Sequence, residues 1–393
     1  MEAGGVDVRP LPRSTTVMPT DPTFDFASYP TLEKNVLVER IGRVRRDMGR
    51  GLLILGHHYQ QDDVIALADL RGDSYQLARM AASQEDCRAI AFCGVHFMAE
   101  TADILANRPE RLAARDGRRI PVVLPDPTAG CSLADMADIG QVESCWRKLA
   151  EAIDIDEVTP ITYVNSAANL KAFCGRHGGI VCTSANARAA LDWAFARRPR
   201  VLFFPDQHLG RNTALAMGVP LERMPLWKPQ ESSLGGNTVE TLRDAHVILW
   251  DGCCSVHQMF LPEHVAHFRA KYPGIKIMVH PECSREVVEA ADLSGSTGKI
   301  IRAVEESPPG TRWAIGTELH LVNRLRREHP EQEIHLLSVV TCMCSTMFRI
   351  DLPHLCWSLE NLAAGTPVGV VEVEPEISRE ALEALTRMLD LAQ

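Results

Sequence analysis

The apolar positions of the chain alternate between helical spacing and short uninterrupted runs. In the first such segment, apolar side chains recur every three or four residues, at Leu37, Ile41, Val44 and Met48. This spacing predicts a helix with one buried face. The apolar run over residues 51–56 is short and bounded by glycine, as expected for a strand buried on both faces. Because the same alternation continues along the chain, the sequence predicts an α/β fold with parallel sheets.

A common layout recurs three times along the chain. In each unit, a candidate strand ends in two polar residues that stand two positions apart: His57 with Tyr59, Tyr163 with Asn165, and His280 with Glu282. Farther on, a small hydroxyl residue opens a candidate helix, and these residues are Ser74, Ser184, and Ser296 with Thr297. A later strand in each unit leads to a cysteine, which is Cys131, Cys254 or Cys344. The repeat therefore predicts three related α/β units that present their strand ends to a shared point, in a pseudo-threefold arrangement.

The repeat also sets the expected domain boundaries. The three α/β domains are assigned to residues 31–137, 138–257 and 258–350, each containing one of the three cysteines. Residues 1–30 hold several Pro, Gly and Thr residues and are expected to form a loose arm. Residues 212–244, rich in Pro, Gly and Ser, are interpreted as a surface insertion in the second domain. Residues 351–393 are expected to close the fold with a helix, a strand and a final helix.

Composition and charge narrow the classes of partner. A chain of 393 residues is too long for one small core, which agrees with several domains. Its formal net charge of -10 argues against nucleic acid as a partner, although a local basic pocket could still bind a small anion. No apolar run approaches the roughly 20 residues of a membrane span, so no membrane partner is expected. The N-terminal residues lack the charged and apolar regions of a secretory signal, which predicts a cytoplasmic protein.

The polar residues at the strand ends have two interpretations. Each could be a core residue whose polar atoms are satisfied locally, and a helix-opening hydroxyl could be a plain N-cap worth about 1 kcal/mol. Their recurrence favours a ligand site, because ligands of open α/β sheets bind at the carboxyl ends of the strands. Histidine and glutamate supply general acid and base groups, while tyrosine and asparagine orient carboxylates or carbonyls. Three helix N-termini aimed at one place would also favour a ligand with several anionic groups.

The chain has 12 cysteines, and without a secretory signal these favour metal or redox chemistry over disulfides. Several lie singly among apolar or helical residues and are expected to be inert buried thiols: Cys87, Cys93, Cys145, Cys174, Cys182 and Cys356. One thiolate from each repeat could hold an iron–sulfur cluster with one iron open to a substrate oxygen. The alternatives are that Cys131 and Cys254 are buried thiols, that Cys253 and Cys254 form a vicinal pair, and that Cys342 and Cys344 form a redox pair.

Short segments in a fixed order carry a resemblance to a known family. They are GHHYQ, GDSYQLA, GVHFMAETADIL, CSLADM, YVNSAA, VCTSANA, PDQHLGR, GCCSVHQMF, MVHPEC, GSTGKI and CSTMFRID. Together they resemble the quinolinate synthase family over about residues 31–365. The fold of that family is a triangle of three three-layer α/β/α domains around a central active site, in agreement with the repeat.

The resemblance implies an enzyme of NAD biosynthesis that condenses iminoaspartate with dihydroxyacetone phosphate to quinolinate, with loss of phosphate and water. L-aspartate oxidase or aspartate dehydrogenase would then be its functional partner. The implied ligands of a 4Fe-4S cluster, acting as a Lewis acid, are Cys131, Cys254 and Cys344. The spacing to Met347 favours Cys344 over Cys342, and the spacing to His257 favours Cys254 over Cys253. The implied substrate-binding positions are His57, Tyr59, Ser74, Tyr163, Asn165, Ser184, His280, Glu282, Ser296 and Thr297.

The resemblance also implies roles in proton transfer for four of these residues. Tyr59 with His57 would assist isomerisation of the triose part, and Glu282 with His280 would move protons during dehydration. Desolvation is expected to raise the pKa of Glu282 toward neutrality. Two rival hypotheses are an aconitase-like hydro-lyase and a structural or redox-sensing metal protein that binds zinc or switches disulfides.

Overall fold

The computed structural model describes residues 15–17, 22–340 and 343–391. The described chain contains the strands β1 (Thr15–Val17), β2 (Leu52–His57), β3 (Leu70–Gly72), β4 (Ala89–Cys93), β5 (Val122–Val123), β6 (Val158–Tyr163), β7 (Ile180–Cys182), β8 (Arg200–Phe204), β9 (Leu226–Trp227), β10 (Val247–Trp250), β11 (Lys276–Val279), β12 (Leu293–Ser294), β13 (Arg312–Gly316), β14 (Glu333–Leu336) and β15 (Val371–Val373).

The helices alternate with these strands. They are α1 (Lys34–Met48), α2 (Asp62–Ile65), α3 (Ser74–Ser83), α4 (His96–Ala106), α5 (Pro109–Ala113), α6 (Ile139–Ala152), α7 (Ala168–Arg176), α8 (Ala187–Phe195), α9 (Gln207–Ala216), α10 (Ser232–Gly235), α11 (Val239–Asp244), α12 (Pro262–Lys271), α13 (Arg285–Ala290), α14 (Thr297–Glu305), α15 (Leu319–Glu328), α16 (Leu352–Ala363) and α17 (Pro375–Asp390). Within the described ranges, every helix is too short or too polar to cross a lipid bilayer.

Three parallel sheets share the arrangement of their first three strands. The first is β3-β2-β4-β5, the second is β7-β6-β8-β10-β9, and the third is β12-β11-β13-β14. In each sheet the first strand of the unit pairs with the second strand on one side and the third strand on the other. The predicted α/β class, with three α/β/α domains built on parallel sheets, is therefore confirmed.

The apolar runs in the sequence form strands that helices cover on both faces. All six residues of β2 are buried, and the same is true of β6. Strands with this environment are mainly apolar, with buried polar exceptions such as Thr159 and Thr162 in β6, so the alternation typical of a half-exposed sheet is absent from them. One continuous core joins the first two units to α16 and α17, whereas the third unit packs two smaller cores, one on each face of its sheet.

The segment interpreted as a surface insertion contributes to the second sheet. Residues 212–216 complete α9, and β9 pairs with β10 at the sheet edge. Trp227 in β9 is buried, and its indole packs where Gly235 turns the chain with a φ of 62°. A Cβ at Gly235 would lie 2.6 Å from that indole, so the turn depends on glycine.

The two ends of the chain meet across the first two units. The expected loose arm includes β1, which pairs antiparallel with β15. The closing segment forms the predicted helix, strand and helix, with α16 packed on α1 and α17 packed on α7. A Cβ at Gly175 of α7 would overlap the backbone carbonyl of Glu380 in α17. Glycine at this position therefore permits the close approach of these two helices.

Candidate active site

The carboxyl ends of strands from all three sheets surround one central cavity of about 680 Å³. Its walls include most of the residues predicted from the repeat, namely His57, Tyr59, Ser74, Cys131, Tyr163, Asn165, Ser184, Cys254, His280, Glu282, Thr297 and Cys344. Ser296 is the exception, because its side chain borders a neighbouring groove. Parallel strands present their carboxyl ends to one edge, and three such edges meet here.

The helix-opening hydroxyls occupy different positions relative to their helices. Ser296 is the N-cap of α14, where its hydroxyl accepts a hydrogen bond from the Lys299 amide at 3.4 Å. Ser74 is the first residue of α3, and the N-cap is Asp73. Ser184 precedes α8 in a turn whose N-cap is Asn186. The expectation of equivalent hydroxyl caps thus holds at Ser296 alone among these positions.

Tyr59 joins the first unit to the third at the cavity wall. Its phenol lies 3.0 Å from the Thr297 hydroxyl and 2.8 Å from the Thr317 hydroxyl. Burial raises the pKa of Tyr59, so the phenol keeps its proton across the physiological range. The group can therefore donate a hydrogen bond to a ligand or to one of the two hydroxyls.

His57 is a buried neutral imidazole beside Tyr59. The Tyr59 amide donates a hydrogen bond to Nδ1 of His57 at 3.2 Å, which assigns the ring proton to Nε2. Burial lowers the pKa of His57 to about 3, and the neighbouring His58 and Arg324 act in the same direction. The two rings contact edge to face with centroids 4.8 Å apart.

Glu282 lies between two imidazoles. Its Oε2 atom is 2.9 Å from Nδ1 of His257 and 3.1 Å from Nδ1 of His280, and the two rings stack with centroids 4.5 Å apart. Burial raises the pKa of Glu282, but the opposing influence of His257 and His280 is larger and leaves that pKa below its usual value. The expected upward shift was therefore wrong, because it left out the two histidines.

Two buried acceptor atoms of the cavity have no protein partner among the described residues. They are Oε1 of Glu282 and the side-chain oxygen of Asn165. A buried acceptor without a partner costs about 1 to 3 kcal/mol, which a bound ligand can recover. A ligand that presents N–H or O–H groups to these atoms fits the cavity.

The three predicted cysteines meet in this cavity although they come from different units. Each is followed by a serine and then a short 3-10 turn, over Ala134–Met136, His257–Met259 and Met347–Arg349. Burial raises the pKa of Cys131 to about 12, with a smaller contribution from Cys344. Burial also raises the pKa of Cys254, and electrostatic repulsion from Glu282, and to a smaller extent from Cys131, raises that pKa further. Buried thiols that raise one another's pKa suit a shared cationic metal centre, which stabilises the thiolate forms.

Among the described residues, the other cysteines do not line the cavity. Cys87, Cys93, Cys145, Cys174, Cys182 and Cys356 are buried free thiols, as is Cys283. Cys253 is partly exposed, and its amide lies 3.2 Å from the sulfur of Met136. Cys342 lies outside the described residues.

With this geometry in view, comparison with known proteins gives a consistent result. A family model described as Quinolinate synthetase A protein matches residues 39–390. The chain belongs to this family. A protein of Rhodopirellula baltica named quinolinate synthase is 63% identical over 384 residues, which cover 95% of this chain and 98% of that protein.

Two further relatives carry the same name. The quinolinate synthase of Nocardioides sp. is 52% identical, with 92% of this chain and 91% of the relative covered. That of Geobacillus kaustophilus is 51% identical, with 93% of this chain and 96% of the relative covered. The chain is an enzyme of the quinolinate synthetase A family.

In this member of the quinolinate synthetase A family, several cavity residues were missed by the sequence analysis. Asp73, His257 and Glu318 all line the cavity. Glu318 follows β13, the second long strand of the third unit. A search for polar residues at the end of the second long strand in each unit, as well as the first, would have found it. Its Oε1 atom accepts hydrogen bonds from the Cys344 amide at 3.4 Å and from the His320 ring at 2.8 Å. His257 was used in the sequence analysis only to fix the register of Cys254.

Proposed function

We propose that this protein is a quinolinate synthase that condenses iminoaspartate with dihydroxyacetone phosphate to quinolinate, releasing phosphate and water, in NAD biosynthesis. The observation that carries the proposal is the meeting of three thiols, one from each α/β unit, with the Glu282 carboxylate in a single cavity. The names of the relatives support the same reaction.

A 4Fe-4S cluster is the proposed cofactor, with Cys131, Cys254 and Cys344 as its ligands. The donor set fits, because three soft thiolates are the ligands that iron–sulfur clusters use, and no fourth cysteine lines the described cavity walls. When bound, such a cluster would supply a Lewis acid at the one iron without a protein ligand. Substrate binding and proton transfer are assigned to side chains of the protein itself.

The cavity hydroxyls and amide are assigned to substrate binding. Ser74 and Thr297 open helices α3 and α14, whose N-termini carry partial positive charge that favours carboxylate or phosphate groups. Burial raises the pKa of Tyr163, so its phenol stays protonated and can donate to an anion. Ser184 and Asn165 complete the proposed binding set on the side of the second unit.

Proton transfers are assigned to two pairs of residues. Tyr59 and His57 lie side by side, one a protonated phenol and the other a neutral imidazole, which suits proton shifts in the triose part. Glu282 has one oxygen held near two imidazoles and the other without a partner in the described structure. The Oε1 atom of Glu282 can accept a proton from the substrate. The carboxylate can then pass the proton to the imidazole of His280 or His257.

The proposal extends to the cellular setting. Iminoaspartate carries a C=N bond that water hydrolyses, so an L-aspartate oxidase or aspartate dehydrogenase is the proposed supplier. A cytoplasmic location is proposed because that is where such a supplier and the triose phosphate would be present together.

A mononuclear metal centre is the competing assignment for the thiols. One ligand atom each from Cys254, His257 and Glu282 lies within 4.8 Å of the others, a set that suits zinc. Metal analysis of protein purified without oxygen separates the two. About four irons per chain support the cluster, whereas one zinc without iron supports the mononuclear site.

The reaction itself is tested with the same anaerobic protein. Iminoaspartate generated in the assay and dihydroxyacetone phosphate should yield quinolinate and phosphate in equal amounts, measured by chromatography and phosphate release. Formation of neither product by iron-loaded protein would refute the proposed function. Dehydration of a tricarboxylate without need for a triose phosphate would favour a hydro-lyase instead.

A further inference from the structure

A wide groove lies beside the central cavity, where the three units meet. It is open to solvent and takes its walls from α3 in the first unit, α8 and α9 in the second, and α14 in the third. Asp73 and Ser184 line both the groove and the cavity. At these two residues a single layer of side chains separates the groove from the proposed substrate site.

The wall between groove and cavity is formed by a tight helix junction. The Asp73 carboxylate accepts a hydrogen bond from the Gln76 amide at 2.9 Å, which caps α3. The same carboxylate faces the start of α14, where a Cβ at Gly298 would lie 3.3 Å from it. Asp73 is buried, and its carboxylate lies at the N-termini of both helices.

The exposed charges of the groove are positive. Arg188, Lys299 and Arg302 line it and are all exposed, on a chain whose formal net charge is -10. Within the described structure, Lys299 and Arg302 form no ion pair, and Arg188 reaches Asp192 only at 3.9 Å. The Lys299 ammonium donates to the Ser294 carbonyl at 3.1 Å, a contact that leaves its charge unneutralised.

We propose that the cations of this groove, Arg188, Lys299 and Arg302, draw small dianions, bearing carboxylate or phosphate groups, toward the neighbouring cavity. The inference rests on the proposed function, because iminoaspartate and dihydroxyacetone phosphate both carry about two negative charges near neutral pH. A protein with a negative net charge repels such ligands on average. A patch of positive side chains beside the cavity therefore raises the local concentration of the dianions near the active site.

The expected effect falls on capture and not on the chemical step. A focused positive field raises association rates by roughly 10-fold or more at low ionic strength, and salt screens it over a Debye length of about 8 Å at physiological strength. The three cations are not assigned contacts with the reacting atoms. Neutralising them should therefore lower kcat/KM for both substrates while kcat stays within about twofold.

The test compares two triple variants that lose the same charge. The groove variant carries Arg188→Gln, Lys299→Gln and Arg302→Gln. The control carries Arg43→Gln, Arg118→Gln and Arg379→Gln, at side chains that are 62%, 80% and 70% exposed and do not line the groove. Both are purified with the cofactor, and iron content and melting temperature are checked against the parent.

At low ionic strength, kcat/KM of the groove variant should fall by roughly 10-fold, and the deficit should shrink at high salt. The control should match the parent at every salt concentration. An active parent whose groove variant keeps its kcat/KM, or loses it equally at all salt concentrations, would overturn the proposed role of the three cations while leaving the proposed function intact. A parent that forms no quinolinate would overturn the function and the assigned ligands together.

Discussion

Replacing Tyr59 by phenylalanine separates a chemical role of the phenol from its role in packing. The change removes one oxygen that lies 3.0 Å from Thr297 and 2.8 Å from Thr317, and both threonines are buried. Two lost hydrogen bonds of about 1 kcal/mol each should lower the free energy of unfolding by about 2 kcal/mol. Folded proteins are typically stable by about 5 to 15 kcal/mol, so a loss of that size should leave the enzyme folded in the assay and its kcat unaffected by unfolding.

The expected loss of activity is much larger than packing alone would cause. If the phenol donates a proton or orients the substrate, Tyr59→Phe should lower kcat by about 100-fold or more while iron content is kept. The matched control is Thr317→Val, which removes one partner of the same phenol and a 3.3 Å contact with Nε2 of His257, without replacing a residue of the cavity wall. Because it too removes two hydrogen bonds, it should show a similar stability loss but keep kcat within about tenfold. Equal kcat in Tyr59→Phe and the parent, measured by quinolinate formation, would refute the assignment.

Three further predictions concern the thiols, the carboxylate and a buried lysine. Alanine at any of the three cavity cysteines, Cys131, Cys254 or Cys344, should abolish iron binding and brown colour, whereas Cys253→Ala should keep both; iron retained by a cavity variant would contradict the ligand set. Glu282→Gln should keep the iron but lower kcat by about 100-fold, and near-parental turnover would make Glu282 a positioning residue. Burial lowers the pKa of Lys171 to about 8, so between pH 8 and 10 the folded protein binds fewer protons than the unfolded chain and stability gains from rising pH. The unfolding free energy of the parent minus that of Lys171→Met should therefore increase by about 1.4 kcal/mol per pH unit in denaturant titrations, and a constant difference would refute the shift.

The sequence was most informative where local pattern decides structure. His57 and Tyr163 end buried parallel strands and His280 follows one, and the position of ligands at such strand ends, together with the threefold repeat, predicts that these residues share one site. The extent of regular structure in residues 212–244 was harder to predict, because β9 is only two residues long and depends on pairing with β10. Short edge strands carry little pattern of their own.

The hydrophobic and polar pattern of the sequence does not predict the orientation of individual side chains or the charges that surround them. Ser296 and Thr297 are adjacent, but successive positions at a helix start point in different directions, so one faces the groove and the other the cavity. The pKa of Glu282 depends on His257, which lies on a separate loop and comes close only through folding. The burial of Glu282 alone does not indicate that His257 lies beside it in the folded protein.

The residues that line the cavity are far apart in the sequence, and their positions determine when the site can form during synthesis. Residues of the cavity begin at His57 and end at Met347, so nearly the whole chain must leave the ribosome before the last wall is available. Contacts between such distant segments form late in folding, after contacts that are local in the sequence. A nascent chain that ends before Cys344 presents at most two of the three thiols. Binding of the proposed metal centre where the three units meet would thus be postponed until the fold is complete, and truncated chains would be left without one.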